Sequence, residues 1–294
     1  MIDPSAIIGA GAFLGVSGGL LWGGAVCGVA LEALRPERRT LGWALARGGP
    51  SDPAHWGIPA REWSHEHRGS ACPVFDLGDE DPGAPTAIVV HGFARSRYDA
   101  LARLGPILPH ARRFILPDLP GHGDASGRGT RLGTDEDGFL ESLITTATTG
   151  PVLLVGHSLG ATIALQAASR ESLASRVRGV LALAPYERLR TPLGARLELR
   201  GMPKSPLLGP TIGLLRAFGV RERSTREAAA RAACPVAVLA GELDLVTPLE
   251  EARAIAEAAS TSRFAAIAYA QHDDFHTVGR AEMESALAWI ESCG

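Results

Sequence analysis

Ser158 stands in VLLVGHSLGAT, with Gly156 two residues before it and Gly160 two residues after. The run ahead of it is apolar and strand-like, and ATIALQAAS behind it is a good helix former. G-x-S-x-G between a strand and a helix puts the serine on the tip of a turn too tight for large neighbours. There the first N–H groups of the helix favour developing negative charge. The chemistry on offer is attack on a carbonyl carbon. A serine hydroxyl needs a base to take its proton, the base needs a third group to hold it, and the oxyanion needs fixed N–H donors. Downstream, YAQHDDFHTVG (269–279) carries His272 and His276 around two aspartates. Three uses fit that stretch: half of a metal site, since His-x-x-x-His is a ligand spacing, the base of a hydrolytic enzyme, or a plain helix start. For the third group, Asp244 follows the apolar run PVAVLAG and precedes Thr-Pro, with Glu242 beside it and Glu187 as a remote rival.

The other histidines read as structural. His157 is the variable residue of the turn and points away from substrate. His91 packs behind the loop it opens, and His122 steadies PGHG. His55, His65, His67 and His110 have no partner visible in the sequence, and His65-x-His67 reads as a solvated loop.

Elements able to hold these residues alternate along the chain. Strand-like runs are TAIVVHG (86–92), RRFILPD (112–118), PVLLVGHS (151–158), RGVLALAP (178–185), CPVAVLAG (234–241) and RFAAIAYA (263–270). Most are continuously apolar, as strands buried on both faces of a parallel sheet are. Helical patterns fall at about 96–108, 135–148, 159–170, 248–259 and 278–291. The expected fold class is α/β, a mostly parallel central sheet flanked by helices. Residues 186–233 are longer than one crossover needs. They hold LLGPTIGLLRAFG and STREAAARAA, and predict a helical lid above the carboxyl ends of the strands.

The chain has 294 residues and a formal net charge of −3, which gives no support for a nucleic-acid partner. Its four cysteines are scattered, with no C-x-x-C pair. Residues 4–31 contain no charged side chain, and Arg35, Arg38 and Arg39 follow. The expectation for 1–34 is a membrane-spanning or membrane-anchoring helix, with the following domain on the cytoplasmic side. Gly11, Gly15, Gly19 and Gly23 recur every fourth residue, a spacing that permits self-association of such a helix. The rival expectation is a Gly-rich segment packed on the soluble domain. Residues 35–70 read as linker and lead-in, and 71–294 as the main domain.

From about residue 70 to 294 the chain resembles the α/β-hydrolase family. VVHGF (89–93) resembles the loop carrying half of that family's oxyanion hole, PDLPGHGDAS (117–126) its loop after the fourth strand, GHSLG its nucleophile elbow and GELDLVTP (241–248) its acid-bearing loop. DPAHWGIPAREW resembles the lead-in of some membrane-anchored bacterial members. The resemblance implies Ser158 as nucleophile, Asp244 as acid and His272 as base, with His276 the alternative base. It implies oxyanion donors at the main-chain N–H groups of Phe93 and Leu159, and no cofactor or metal. Gln271 replaces the glycine that family members carry before the histidine. The implied activity is hydrolysis of a small acyl substrate, an ester first and a lipophilic one if the anchor and lid act together. Thioesterase, lactonase or amidase chemistry would use the same residues. A non-catalytic hydrolase-like protein that binds partners at a membrane is the alternative from another class.

Overall fold

The computed structural model describes residues 4–127 and 129–293, with side chains described from residue 18 onward. Its centre is an eight-stranded sheet of β1 (Ala60–His67), β2 (Ser70–Gly78), β3 (Thr86–Val90), β4 (Arg113–Pro117), β5 (Val152–His157), β6 (Val177–Leu183), β7 (Val236–Gly241) and β8 (Ser262–Ile267). The order is β1-β2-β4-β3-β5-β6-β7-β8. Only the pairings of β1 with β2 and of β2 with β4 are antiparallel. The order reverses beside β3, which lies between β4 and β5, so a crevice opens past the carboxyl ends of β3 and β5.

The helices are α1 (Pro4–Leu34), α2 (Leu41–Ala46), α3 (Arg97–Ala102), α4 (Glu136–Ala147), α5 (Leu159–Ala168), α6 (Arg190–Leu199), α7 (Lys204–Ala217), α8 (Thr225–Arg231), α9 (Leu249–Ala258) and α10 (Arg280–Ser292). The continuous apolar runs arise because alternate side chains enter two different cores. In β3, Ile88 and Val90 face the core under α4, α5, α8 and α9, while Ala87 and Val89 face the core under α3 and α10. β5 divides in the same way, with Leu154 on one side and Leu153 and Val155 on the other.

Three sequence expectations change. Part of the segment read as linker is β1, an edge strand of the sheet. Its sequence, AREWSHEH, is polar because one long side of the strand meets solvent, and charge on an edge discourages pairing with another chain. His65 sits in this strand, with Nε2 3.1 Å from Ser142 Oγ, rather than in a loop. The second change concerns α1. Among the described residues no helix is long and apolar enough to cross a membrane. Gly11 and Gly15 of the glycine row lie outside the described side chains. Among the described residues, a Cβ placed on Gly19 or Gly23 meets nothing within 4 Å, so no close approach there needs them. The carboxyl-terminal part of α1 instead packs on α7. Val26, Ala30 and Ala33, spaced as one helix face, are buried against the insertion beside Leu193, Leu207 and Ile212. That is the packing of the rival expectation. The insertion itself carries three helices, α6 to α8, where the sequence pattern showed two.

Candidate active site

The turn between β5 and α5 is fixed by close approach. A Cβ on Gly156 would lie 2.3 Å from the Gly160 carbonyl oxygen, and one on Gly160 would lie 2.4 Å from the Val90 oxygen and 2.5 Å from the His91 oxygen. Neither glycine has a positive φ, so space and not backbone conformation demands them. Between them Ser158 takes φ 53° and ψ −115°, a strained conformation for a residue with a side chain. Its N–H donates to the Leu183 carbonyl at 2.8 Å, which ties the tip to β6.

Ser158 Oγ lies 3.0 Å from His272 Nε2, and His272 Nδ1 lies 2.7 Å from Asp244 Oδ2. The three residues come from the ends of three different strands, β5, β7 and β8. The Asp244 side chain is fully buried. Its Oδ1 accepts from the Val246 and Thr247 N–H groups at 2.7 and 2.9 Å, and its Oδ2 from the Thr247 hydroxyl at 2.6 Å. Burial alone would raise its carboxyl pKa, but the bonds from His272 and Thr247 outweigh burial and hold it below the ordinary carboxylate range. An ionised Asp244 fixes Nδ1 of His272 as the protonated nitrogen, which leaves Nε2 free to accept from the serine hydroxyl.

The loop that carries His272 is tied down by a residue the sequence reading set aside. His157 Nε2 lies 2.6 Å from the His272 carbonyl oxygen. Burial drives the His157 pKa well below its usual value, so the ring is neutral and Nε2 carries the N–H that donates. His276 takes no part in the Asp244–His272–Ser158 chain. Burial and nearby Arg103 lower its pKa to about 4, and its buried Nδ1 has no hydrogen-bond partner among the described residues.

On the other side of the serine, a Cβ on Gly92 would lie 3.3 Å from Ser158 Cβ, so the backbone entering Phe93 runs against the serine. His91 pins that loop: its Nδ1 donates to the Gly92 oxygen at 2.8 Å and its Nε2 accepts from the Leu119 N–H at 3.0 Å. His122 lies behind it, with Nδ1 3.1 Å from the Pro120 oxygen. Burial lowers these two pKa values to about 4 and about 3, as suits neutral structural histidines. Leu159 opens α5, where a main-chain N–H has no acceptor within its own helix.

Ser158 opens into a pocket walled by Val29, Ala33, Leu132, Leu189, Leu193 and Leu197, with Phe93, Tyr186, Arg196 and the Glu32–Arg200 pair also on its lining. The wall therefore draws on α1 and on the insertion. Nothing in the sequence marked these residues, because an apolar side chain that faces a pocket looks the same as one that faces a core.

A model of the alpha/beta hydrolase family matches residues 87–288. The magnesium-chelatase 30 kDa subunit of Rhodobacter capsulatus is 31% identical over 143 residues, which is 47% of this chain and 48% of that protein, so the match spans about half of the relative's length. Among solved structures, a Pyrococcus furiosus esterase is 17% identical with a TM-score of 0.65, covering 83% of this chain and 95% of its own. A membrane phospholipase A is 16% identical with a TM-score of 0.64, covering 98% of this chain and 99% of its own. At such identities the two structures share the fold. The sheet order, the strand–turn–helix around Ser158 and the family match agree that this chain belongs to the α/β-hydrolase family.

Proposed function

We propose that this hydrolase cleaves a carboxylic ester through Ser158, His272 and Asp244. The observation that carries the reading is the hydrogen-bond chain Asp244–His272–Ser158 at the base of an apolar pocket. His272 Nε2 takes the hydroxyl proton as Ser158 Oγ bonds to the ester carbon, and Asp244 stabilises the resulting imidazolium. The carbonyl oxygen becomes an oxyanion that accepts from the main-chain N–H groups of Leu159 and Phe93. As the C–O bond to the alcohol breaks, His272 returns its proton to the leaving oxygen. Water then attacks the acyl-enzyme, with His272 taking one proton and passing it back to Ser158 as the acid departs. The helices of 186–233 act as the lid over this chemistry, and their apolar faces suit a lipophilic acyl group.

A fluorophosphonate probe tests the reading. It is expected to label Ser158, and Ser158→Ala is expected to abolish labelling and p-nitrophenyl ester cleavage together. Wild-type protein that neither labels nor turns over short-chain esters would sink it. Thioesters, lactones and amides use the same groups and belong in the same substrate screen.

Membrane attachment through residues 4–31 is a second part of the proposal. It rests on the uncharged run and on Leu20, Leu21 and Trp22, which are exposed on α1. Replacing those three with serine is expected to move the full chain from the membrane to the soluble fraction on sedimentation. No change of fraction would count against attachment through this face.

A further inference from the structure

Three charged side chains line the pocket, Glu32, Arg196 and Arg200, and Glu32 and Arg200 pair with each other, which leaves Arg196. It sits on α6, half-buried, and lines the same pocket as Ser158. Its guanidinium lies 4.8 Å over the ring of Phe93, whose main chain faces the reacting carbonyl in the proposed mechanism. Burial and the charge of Arg95 both work against its own charge. A cation in such a place wants a counter-charge. Two carboxylates reach it through their fields, Asp273 and Glu32. Glu32 is bonded through both oxygens to Arg200, and Asp273 is bonded to Arg95 through Oδ2, while its Oδ1 makes no hydrogen bond among the described residues, to Arg196 included. Among the described residues no carboxylate pairs with Arg196 itself. Among the described residues, the pocket thus offers one guanidinium with no carboxylate partner of its own, on a wall that is apolar apart from the Glu32–Arg200 ion pair, and stacked on Phe93.

We propose that the substrate carries an anionic group within a few bonds of its scissile carbonyl, and that Arg196 binds that group. The proposal rests on the ester-hydrolase reading and adds the substrate's charge to it. A planar guanidinium matches a carboxylate or a phosphate with two parallel hydrogen bonds. The apolar wall takes the hydrocarbon remainder. A neutral ester leaves Arg196 desolvated and unpaired, which is how the site discriminates against it. Arg196 moves no proton and is a specificity residue. The competing explanation is that Arg196 only packs on Phe93 through a cation–π contact.

The experiment measures kcat/KM of the full chain on three matched pairs. p-Nitrophenyl hydrogen glutarate against p-nitrophenyl pentanoate puts the charge on the acyl side. O-butyrylglycolate against O-butyrylglycolamide puts a carboxylate on the alcohol side, and 2-(butyryloxy)ethyl phosphate against 2-methoxyethyl butyrate puts a phosphate there. In at least one pair the anionic member is expected to be favoured roughly tenfold or more, mainly through KM. That ratio is expected to fall to about one in Arg196→Gln and to survive in part in Arg196→Lys. Reading a ratio cancels any general loss of activity in the variants. Neutral esters preferred by the wild type in every pair, or a ratio unmoved by Arg196→Gln, would overturn the anionic substrate and leave the hydrolase standing. If Arg196→Gln does not fold, Arg196→Lys decides, and a ratio equal to that of the wild type would overturn the assignment to Arg196. If no ester of either charge is cleaved and Ser158 does not label, the hydrolase reading fails and this proposal goes with it.

Discussion

Gly160 beneath the pocket and Gly213 in the insertion stand in opposite surroundings. A Cβ on Gly160 would lie 2.4 Å from a main-chain oxygen, whereas one on Gly213 meets nothing within 4 Å. The elbow is a place where backbone touches backbone, and only one residue type fits. The insertion is a set of helices packed on one another, on α1, on α5 and on α9, and at Gly213 a side chain has room. Chemistry that needs atoms placed to a fraction of an ångström sits on the first kind of ground. Selection among substrates can sit on the second, where side chains change without disturbing the backbone that holds Ser158.

That contrast is broken first at the serine. Ser158→Ala and His272→Ala are each expected to lower kcat by roughly 10⁴ to 10⁶, measured on a p-nitrophenyl ester. His276→Ala is expected to stay within a few-fold of wild type, since its ring is not in the hydrogen-bond chain. Equal losses from the two histidine variants would show that the base has been assigned to the wrong ring. Asp244→Asn is expected to cost about 10⁴ in kcat with little change in fold, because the amide presents the wrong partner to Nδ1.

Backbone packing comes next. Gly160→Ala is expected to destabilise the protein by about 2–3 kcal/mol, read from denaturant unfolding. The same floor is also sensitive to acid. His91 titrates at about 4 and His122 at about 3, both below the value of about 6.5 for an unfolded histidine. The unfolded chain therefore binds protons more readily than the folded one. Their contribution to stability is whole above about pH 6.5 and falls away as the pH drops toward their folded values. Melting temperature is expected to fall steadily from pH 7 to pH 4. His91→Gln, which can keep the bond to Leu119 through its amide oxygen, is expected to flatten that slope. An unchanged slope would mean that other groups set the acid sensitivity.

The same division explains what could be read without coordinates. β3, β5, β6 and β7 were legible because burial on two faces forces an unbroken apolar run. The elbow was legible because sterics forces its glycines. Asp244 and His272 were legible only as positions in an order of loops, and four residues of spacing could not part His272 from His276. β1 was hidden because an edge strand is polar, and α6 because RTPLGARLEL carries a proline and a glycine that read as a breaker. Arg196 had no signal at all. The role proposed for it depends on Glu32 being held by Arg200 and on its place over Phe93, which belong to the folded arrangement and not to any local pattern.

On the wall of the pocket the expected effects shrink and change kind. Leu193→Ala removes an apolar side chain that lines the pocket and is expected to shift preference toward longer acyl chains by about tenfold in relative kcat/KM. It is expected to leave fluorophosphonate labelling of Ser158 intact. Gly213→Ala is the smallest change and the sharpest control. It lies inside α7, where glycine costs helix stability and open space surrounds the added methyl. The variant is expected to be more stable than wild type by about 0.5–1 kcal/mol, with the acyl-chain profile unchanged. A loss of stability there would mean that this face of the insertion is covered by something that tolerates no methyl group, and the insertion would then be as tightly specified as the elbow.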